Sequence, residues 1–216
     1  MNVLIFGATG MVGQGVLRES LLEAAVTSVV TVGRSATGLR DDKLHEIVGA
    51  DLAKLSRGLT GFDACFFCLG VSSVGMSEAA YTRITYDLTM EIAQALAATN
   101  SGMTFVYVSG AGTDSTEKGR SMWARVKGRT ENALKRLPFP AAYMFRPAAI
   151  VPMHGVRSKT RLYRAIYAVL NPVTPLLRSL FPNAFTTTEQ VGRAMLAVAE
   201  HGYPRAVLET RDINSL

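Results

Sequence analysis

Histidine, cysteine and long apolar runs are what this chain has little of. Its three histidines, His45, His154 and His201, stand at no spacing that suggests a catalytic triad or a metal site. The two cysteines, Cys65 and Cys68 in "DACFFCLG", nominally spell CxxC. On an extended strand, residues three apart point to opposite faces, so the thiols are not expected to pair or to share a metal. No second Cys or His pair stands at matching spacing, which argues against zinc. An uninterrupted apolar run of about 18 residues is missing as well, so a membrane-spanning helix is not expected. "MNVLIFGATG" has no basic region ahead of its apolar stretch and is broken by glycine; it reads as a strand rather than an address, with the cytoplasm as the default compartment. The basic residues lack interleaved aromatics and there is no helix-turn-helix pattern, so no nucleic-acid partner is expected.

What is present is an ordinary globular composition. With 216 residues, 48% apolar and 19% charged, the chain suits one α/β domain spanning 1–216. The net charge of +6 is concentrated from Lys118 to Arg136 and again from Arg157 to Arg164, which favours an anionic partner: a phosphorylated cofactor or an anionic membrane face.

Strand and helix signals alternate from the start. "NVLIF", "SVVTVG", the weaker "HEIVGAD", "FDACFFCLG", "TFVYVSG" and "AAYMFRPAAIV" read as six strands. Between them lie amphipathic stretches: one capped by Ser77 and running to Asn100, one from about Glu117 to Leu137, and a later one capped at Thr188. This pattern implies a doubly wound parallel sheet of the Rossmann type with helices on both faces. Residues 155–186, with the amphipathic "RLYRAIYAVL" and two prolines, read as small helices covering a substrate cleft. A basic helix at a membrane surface is the alternative for that segment.

The chemistry is concentrated in a few places. "GATGMVG" puts Gly7, Gly10 and Gly13 at GxxGxxG spacing between the first strand and the first helix. Such a turn lets backbone N–H groups of Thr9, Gly10, Met11, Val12 and Gly13 approach a pyrophosphate at a helix N-terminus. The second strand ends in "TVGRS", with Arg34 where an acidic residue would read a free ribose 2′-hydroxyl, so NADP(H) is expected ahead of NAD(H). A solvated surface arginine is the plain alternative.

These motifs resemble those of short-chain dehydrogenase/reductases of the atypical or extended kind, in the NAD-dependent epimerase/dehydratase-like families, over roughly residues 1 to 200. The resemblance implies that Asp51 and Leu52 of "GADL" contact adenine and that Leu69 and Gly70 lie along the cofactor. It also implies that Ser109 helps hold the substrate oxygen, and that Arg146 and Pro147 lead into a loop beside the nicotinamide. The family's tyrosine and lysine, four residues apart, fall on Trp123 and Lys127. An indole N–H donates a hydrogen bond but does not titrate in the range a phenol does, so the usual proton donor is missing. Lys127 is expected at the nicotinamide ribose, with Ser109, Tyr86, Tyr81 or a lysine-bound water as substitute proton sources. The expected activity is oxidoreduction of a small or hydrophobic carbonyl or alcohol; the alternatives are a non-enzymatic NADP(H) sensor and a membrane-surface reductase.

Overall fold

The computed structural model describes residues 1–156 and 184–216. The substrate-covering segment expected over 155–186 therefore lies almost wholly outside the described residues, as do Arg161 and Arg164. The first half alternates as its sequence does: β1 (Asn2–Phe6), α1 (Met11–Leu22), β2 (Ser28–Gly33), β3 (Leu44–Val48), α2 (Leu52–Ser56) and β4 (Ala64–Phe67). Then follow α3 (Glu78–Thr82), α4 (Leu88–Thr99), β5 (Thr104–Val108), α5 (Met122–Leu134), β6 (Ala141–Arg146) and β7 (Ala149–Val151). The chain closes with β8 (Phe185–Thr187), α6 (Thr188–His201), β9 (Val207–Glu209) and α7 (Thr210–Asn214).

Seven of these strands form one parallel sheet in the order β3-β2-β1-β4-β5-β6-β9, and β7 pairs with β8 in a small second sheet. The order reverses at β1 and β4, the place where open α/β sheets leave a crevice at their carboxyl ends. Alternation along β1 sends Val3 and Ile5 to the core under α1 and α6, and Leu4 and Phe6 to the core under α2 and α4. Both faces are covered, which is why β4 is buried at every position. Cys65 joins the second core and Cys68 packs against the first, so the CxxC is split across the sheet. Burial pushes the Cys68 thiol up to about 12 and raises Cys65 as well.

Three expected boundaries move. The helix expected from Glu117 starts at Met122, because Asp114 holds the preceding chain in a loop. Its carboxylate accepts the Thr116 and Gly119 N–H groups at 3.0 and 2.7 Å, and Glu117 sits at φ 63°, where a right-handed helix cannot continue. The sixth strand divides at Pro147, which has no N–H to donate: β6 stays between β5 and β9, and β7 leaves for the second sheet. The last long helix is capped by Thr187, whose hydroxyl accepts the Gln190 N–H at 2.9 Å. Thr188 instead receives the Met153 N–H at 3.0 Å. The helix from Ser77 is capped as expected but passes through one wider π-helical turn, Arg83–Asp87, which carries Tyr86.

Candidate functional site

The glycine turn joins β1 to α1 at the carboxyl edge of the sheet. Gly7 has φ +83°, and a Cβ there would stand 2.7 Å from the Cys68 carbonyl carbon at the end of β4. At Gly13 a Cβ would come within 2.1 Å of the Gly7 carbonyl oxygen, so α1 presses directly on the turn. Gly10 closes the turn through its N–H to the Gly7 carbonyl at 2.9 Å and forms the N-cap, with no side chain capping the helix. The first amides of α1, from Met11 and Val12 on, thus have neither an intrahelical acceptor nor a side-chain one. That is the arrangement an anionic group needs, and it fits a dinucleotide's pyrophosphate. Val12 also packs against the core between α1 and α6.

Gly7, Thr9, Arg34, Leu52 and Leu69 line one small cleft of about 90 Å³, closed by the ends of β2 and β3. Arg34 is exposed, and among the described residues no carboxylate is paired with it. The nearby acid, Glu46 of β3, accepts the Thr37 N–H at 2.7 Å and the Thr31 hydroxyl at 3.4 Å, tying the β2–β3 loop down. Nothing in the local sequence around Arg34 pointed to Glu46, which comes from the next strand. Asp51 turns its carboxylate to the Lys54 N–H at 2.9 Å and caps α2, leaving Leu52 on the cleft; Gly70 is exposed beyond it.

The second group of residues gathers where β5 ends. Lys127, on α5, donates from Nζ to the Ser109 carbonyl, beside Gly110. Burial pulls its ammonium down to about 8, against the opposing pull of Glu131 one helical turn on. Trp123, in the first turn of α5, packs its ring against the loop that follows β5, 3.4 Å from where a Cβ on Gly112 would be. The Pro147 carbonyl steadies this loop by accepting the Ala111 N–H at 2.9 Å. Ser109 is 4% exposed and its hydroxyl donates to the Phe145 carbonyl at 3.0 Å. Arg146 reaches back to the same loop, donating to the Ser115 hydroxyl, and binds Glu131.

Each of the described tyrosines has packing or hydrogen-bond partners of its own. Tyr86 lies under the Arg129 guanidinium, 4.1 Å from its ring centre; Tyr81 is buried, hydrogen-bonds Thr85, and is pushed up by burial. Tyr107 is buried against Thr130 and Glu131, and the Tyr143 hydroxyl donates to the Tyr203 carbonyl at 3.3 Å. Among the described residues no three His, Cys, Asp or Glu side chains gather as a metal site, and no helix is long and apolar enough to cross a membrane.

The family model for the NAD dependent epimerase/dehydratase family matches residues 3–121, which runs from β1 past the glycine turn to the foot of α5. The chain belongs to the NAD-dependent epimerase/dehydratase family. That match stops one residue short of α5, so the Trp123–Lys127 pair lies beyond it. "Protein fmp52-2, mitochondrial" of Aspergillus terreus is 31% identical over 174 residues, covering 77% of this chain and 74% of its own length. "Protein FMP52, mitochondrial" of Chaetomium globosum is 29% identical over 154 residues, covering 68% and 65%. Among solved structures, the enzyme WbmF of Bordetella bronchiseptica in complex with NAD+ and UDP superposes with a TM-score of 0.67 at 18% identity, over 99% of this chain and 75% of that one. A short chain dehydrogenase family protein of Francisella tularensis gives 0.65 at 13%, over 93% and 91%. These likenesses establish the NAD(P)-binding Rossmann fold. The cytoplasm does not stand as the compartment: the curated relatives are named as mitochondrial proteins, and the absence of a recognisable address in a sequence is weak ground against that.

Proposed function

We propose that this epimerase/dehydratase family member is an NADP(H)-binding oxidoreductase acting on a small or hydrophobic carbonyl or alcohol, with Trp123 in place of the family's tyrosine. The observation that carries the reading is Lys127: a part-buried ammonium set at the end of β5, on the same edge of the sheet as the glycine turn. The turn and the α1 N-terminus would hold the pyrophosphate, Leu52 and Leu69 the adenine, Arg34 the 2′-phosphate, and Lys127 the nicotinamide ribose. The nicotinamide, when bound, supplies or takes the hydride. Since the indole of Trp123 does not exchange a proton, the Lys127 ammonium, or a water held on it, does so.

Fluorescence titration of the cofactor-stripped protein with NADPH and NADH, beside Arg34→Ala, tests this. NADPH is expected to bind tighter, and the variant to lose about tenfold for NADPH alone, the scale of one charge-assisted hydrogen bond. Equal affinity for both cofactors in wild type would remove Arg34 from this role; no binding of either would remove the cofactor reading. A second reading, a regulatory module without turnover, is favoured by the Ser109 hydroxyl being engaged by Phe145. Steady NADPH consumption with any member of a carbonyl panel would end it.

A further inference from the structure

The three residues that follow β6 are each held by a different part of the chain. The Pro147 carbonyl accepts the Ala111 N–H at 2.9 Å, from the loop after β5. The Ala148 N–H donates to the Thr210 hydroxyl at 2.8 Å, and the Ala149 N–H to the Ala184 carbonyl at 3.1 Å, just ahead of β8. The first of these contacts borders the proposed site. A Cβ on Gly110 would stand 3.9 Å from the Pro147 carbonyl oxygen and 4.0 Å from Lys127 Nζ, so carbonyl and ammonium flank the same point of the loop.

Thr210 comes from 62 residues further on, where it opens α7, and it is 3% exposed. A helix of five residues does not hold its place by itself. Here Glu209 and Asp212 form a reciprocal capping box, and Ile213 is fully buried. Gln190 of α6 donates to the Ile213 carbonyl at 3.0 Å, and Asn214 donates to the Phe185 carbonyl of β8 at 2.8 Å. The hydroxyl is thus presented from a base anchored to both α6 and β8. Its bond is not needed to satisfy the donor, because Ala148 is exposed and water would serve that N–H as well. What Thr210 gives the amide is a fixed position.

We infer that Thr210 is a positioning residue for the nicotinamide half of the dinucleotide: acting through Ala148, it holds the Pro147 carbonyl, and with it Gly110 and Ala111, in place beside Lys127. The inference rests on the cofactor reading above and extends it to α7, which the glycine turn and Arg34 do not involve. Thr210 acts through the loop rather than on the cofactor. Small displacements at such a place weigh heavily, since a misplacement of about 1 Å costs on the order of 10²-fold in rate.

The full chain, as wild type, Thr210→Val, Thr210→Ala and Thr210→Ser, is titrated with NADPH and NADH and with two fragments that lack nicotinamide, adenosine 2′,5′-bisphosphate and ADP. Valine keeps the shape and removes the hydroxyl, serine keeps the hydroxyl, and a melt of each variant checks its folding. Wild type is expected to bind its preferred dinucleotide more tightly than either fragment. Thr210→Val and Thr210→Ala should each lose about tenfold of that affinity with the fragments unchanged, and Thr210→Ser should stay within about twofold of wild type. A merely structural role would not separate dinucleotide from fragment. Wild-type affinity in the valine and alanine variants would overturn the inference, as would equal weakening of all four ligands, or a serine variant as impaired as valine. If the dinucleotides bind no better than the fragments in wild type, the inference falls and the adenosine cleft stands. If no ligand binds, both fall.

Discussion

Lys127→Met is expected to melt higher than wild type at pH 7 while losing the cofactor. The ammonium is part-buried and is pulled down to about 8 from 10.5, with desolvation as the leading cause. A base whose folded value lies below its unfolded one costs stability at low pH. Below about pH 8 both states carry the proton and the whole cost is present. Between about 8 and 10.5 the unfolded chain binds more protons, so wild-type stability rises with pH. At 1.36 kcal/mol per unit the cost is about 3 kcal/mol, from which about 1 kcal/mol is subtracted for the hydrogen bond to the Ser109 carbonyl. Methionine fills the same space without the charge. A net gain of about 2 kcal/mol corresponds to a midpoint roughly 4 to 8 °C higher in a chain of this size. The difference between variant and wild type should close by about pH 10.5. Thermal melts from pH 6.5 to 10.5 read this directly, and a variant that melts below wild type at pH 7 would show that the ammonium stabilises the fold. Paired with an NADPH affinity reduced by tenfold or more, a higher melt marks a residue kept for binding at the expense of stability.

The parts of this molecule that follow from local chemistry were legible in its sequence. The glycine spacing, the alternating apolar runs and the Ser77 cap each depend on residues within a few positions of one another, and each forms as expected. The alternation rule that separates Cys65 from Cys68 also holds, because it needs only the strand. What was not legible depends on partners distant in sequence or on competition between local options. Asp114 gathers the Thr116 and Gly119 amides and delays α5, a local hydrogen-bond choice that apolar periodicity does not report. Glu46 becomes relevant to Arg34 because β3 lies beside β2. His154 meets Glu189 across 35 residues, through the pairing of β7 with β8 that brings the start of α6 to the turn. Ser109 illustrates the limit best: its place at the end of β5 was readable, but not the Phe145 carbonyl that takes its hydroxyl.

Arg146→Met is expected to cost about 3 to 5 kcal/mol at pH 8, the range for breaking a buried ion pair from one side. Glu131 has no exposed surface, and the Arg146 side chain is 12% exposed. Two of its guanidinium nitrogens meet the carboxylate, Nε at 3.0 Å and Nη2 at 2.5 Å, while Glu209 at 3.4 Å and the Ser115 hydroxyl at 2.5 Å take the rest. One side chain of β6 thus fixes α5, β9 and the loop ahead of α5. Without it, Glu131 is a buried carboxylate that has lost its guanidinium partner. Urea unfolding of variant and wild type at pH 8 reads the difference. Replacing both partners, Glu131→Leu with Arg146→Met, should recover much of the loss at pH 8, because the carboxylate that the single variant leaves buried without its guanidinium is gone. A deficit under about 1 kcal/mol would mean that water reaches Glu131. The consequence extends to the site. Glu131 already pulls the Lys127 titration upward from one turn away. Freed of Arg146, it should pull harder and move Lys127 to higher pH, so the pair that braces α5 also sets the charge of the lysine proposed for the nicotinamide ribose.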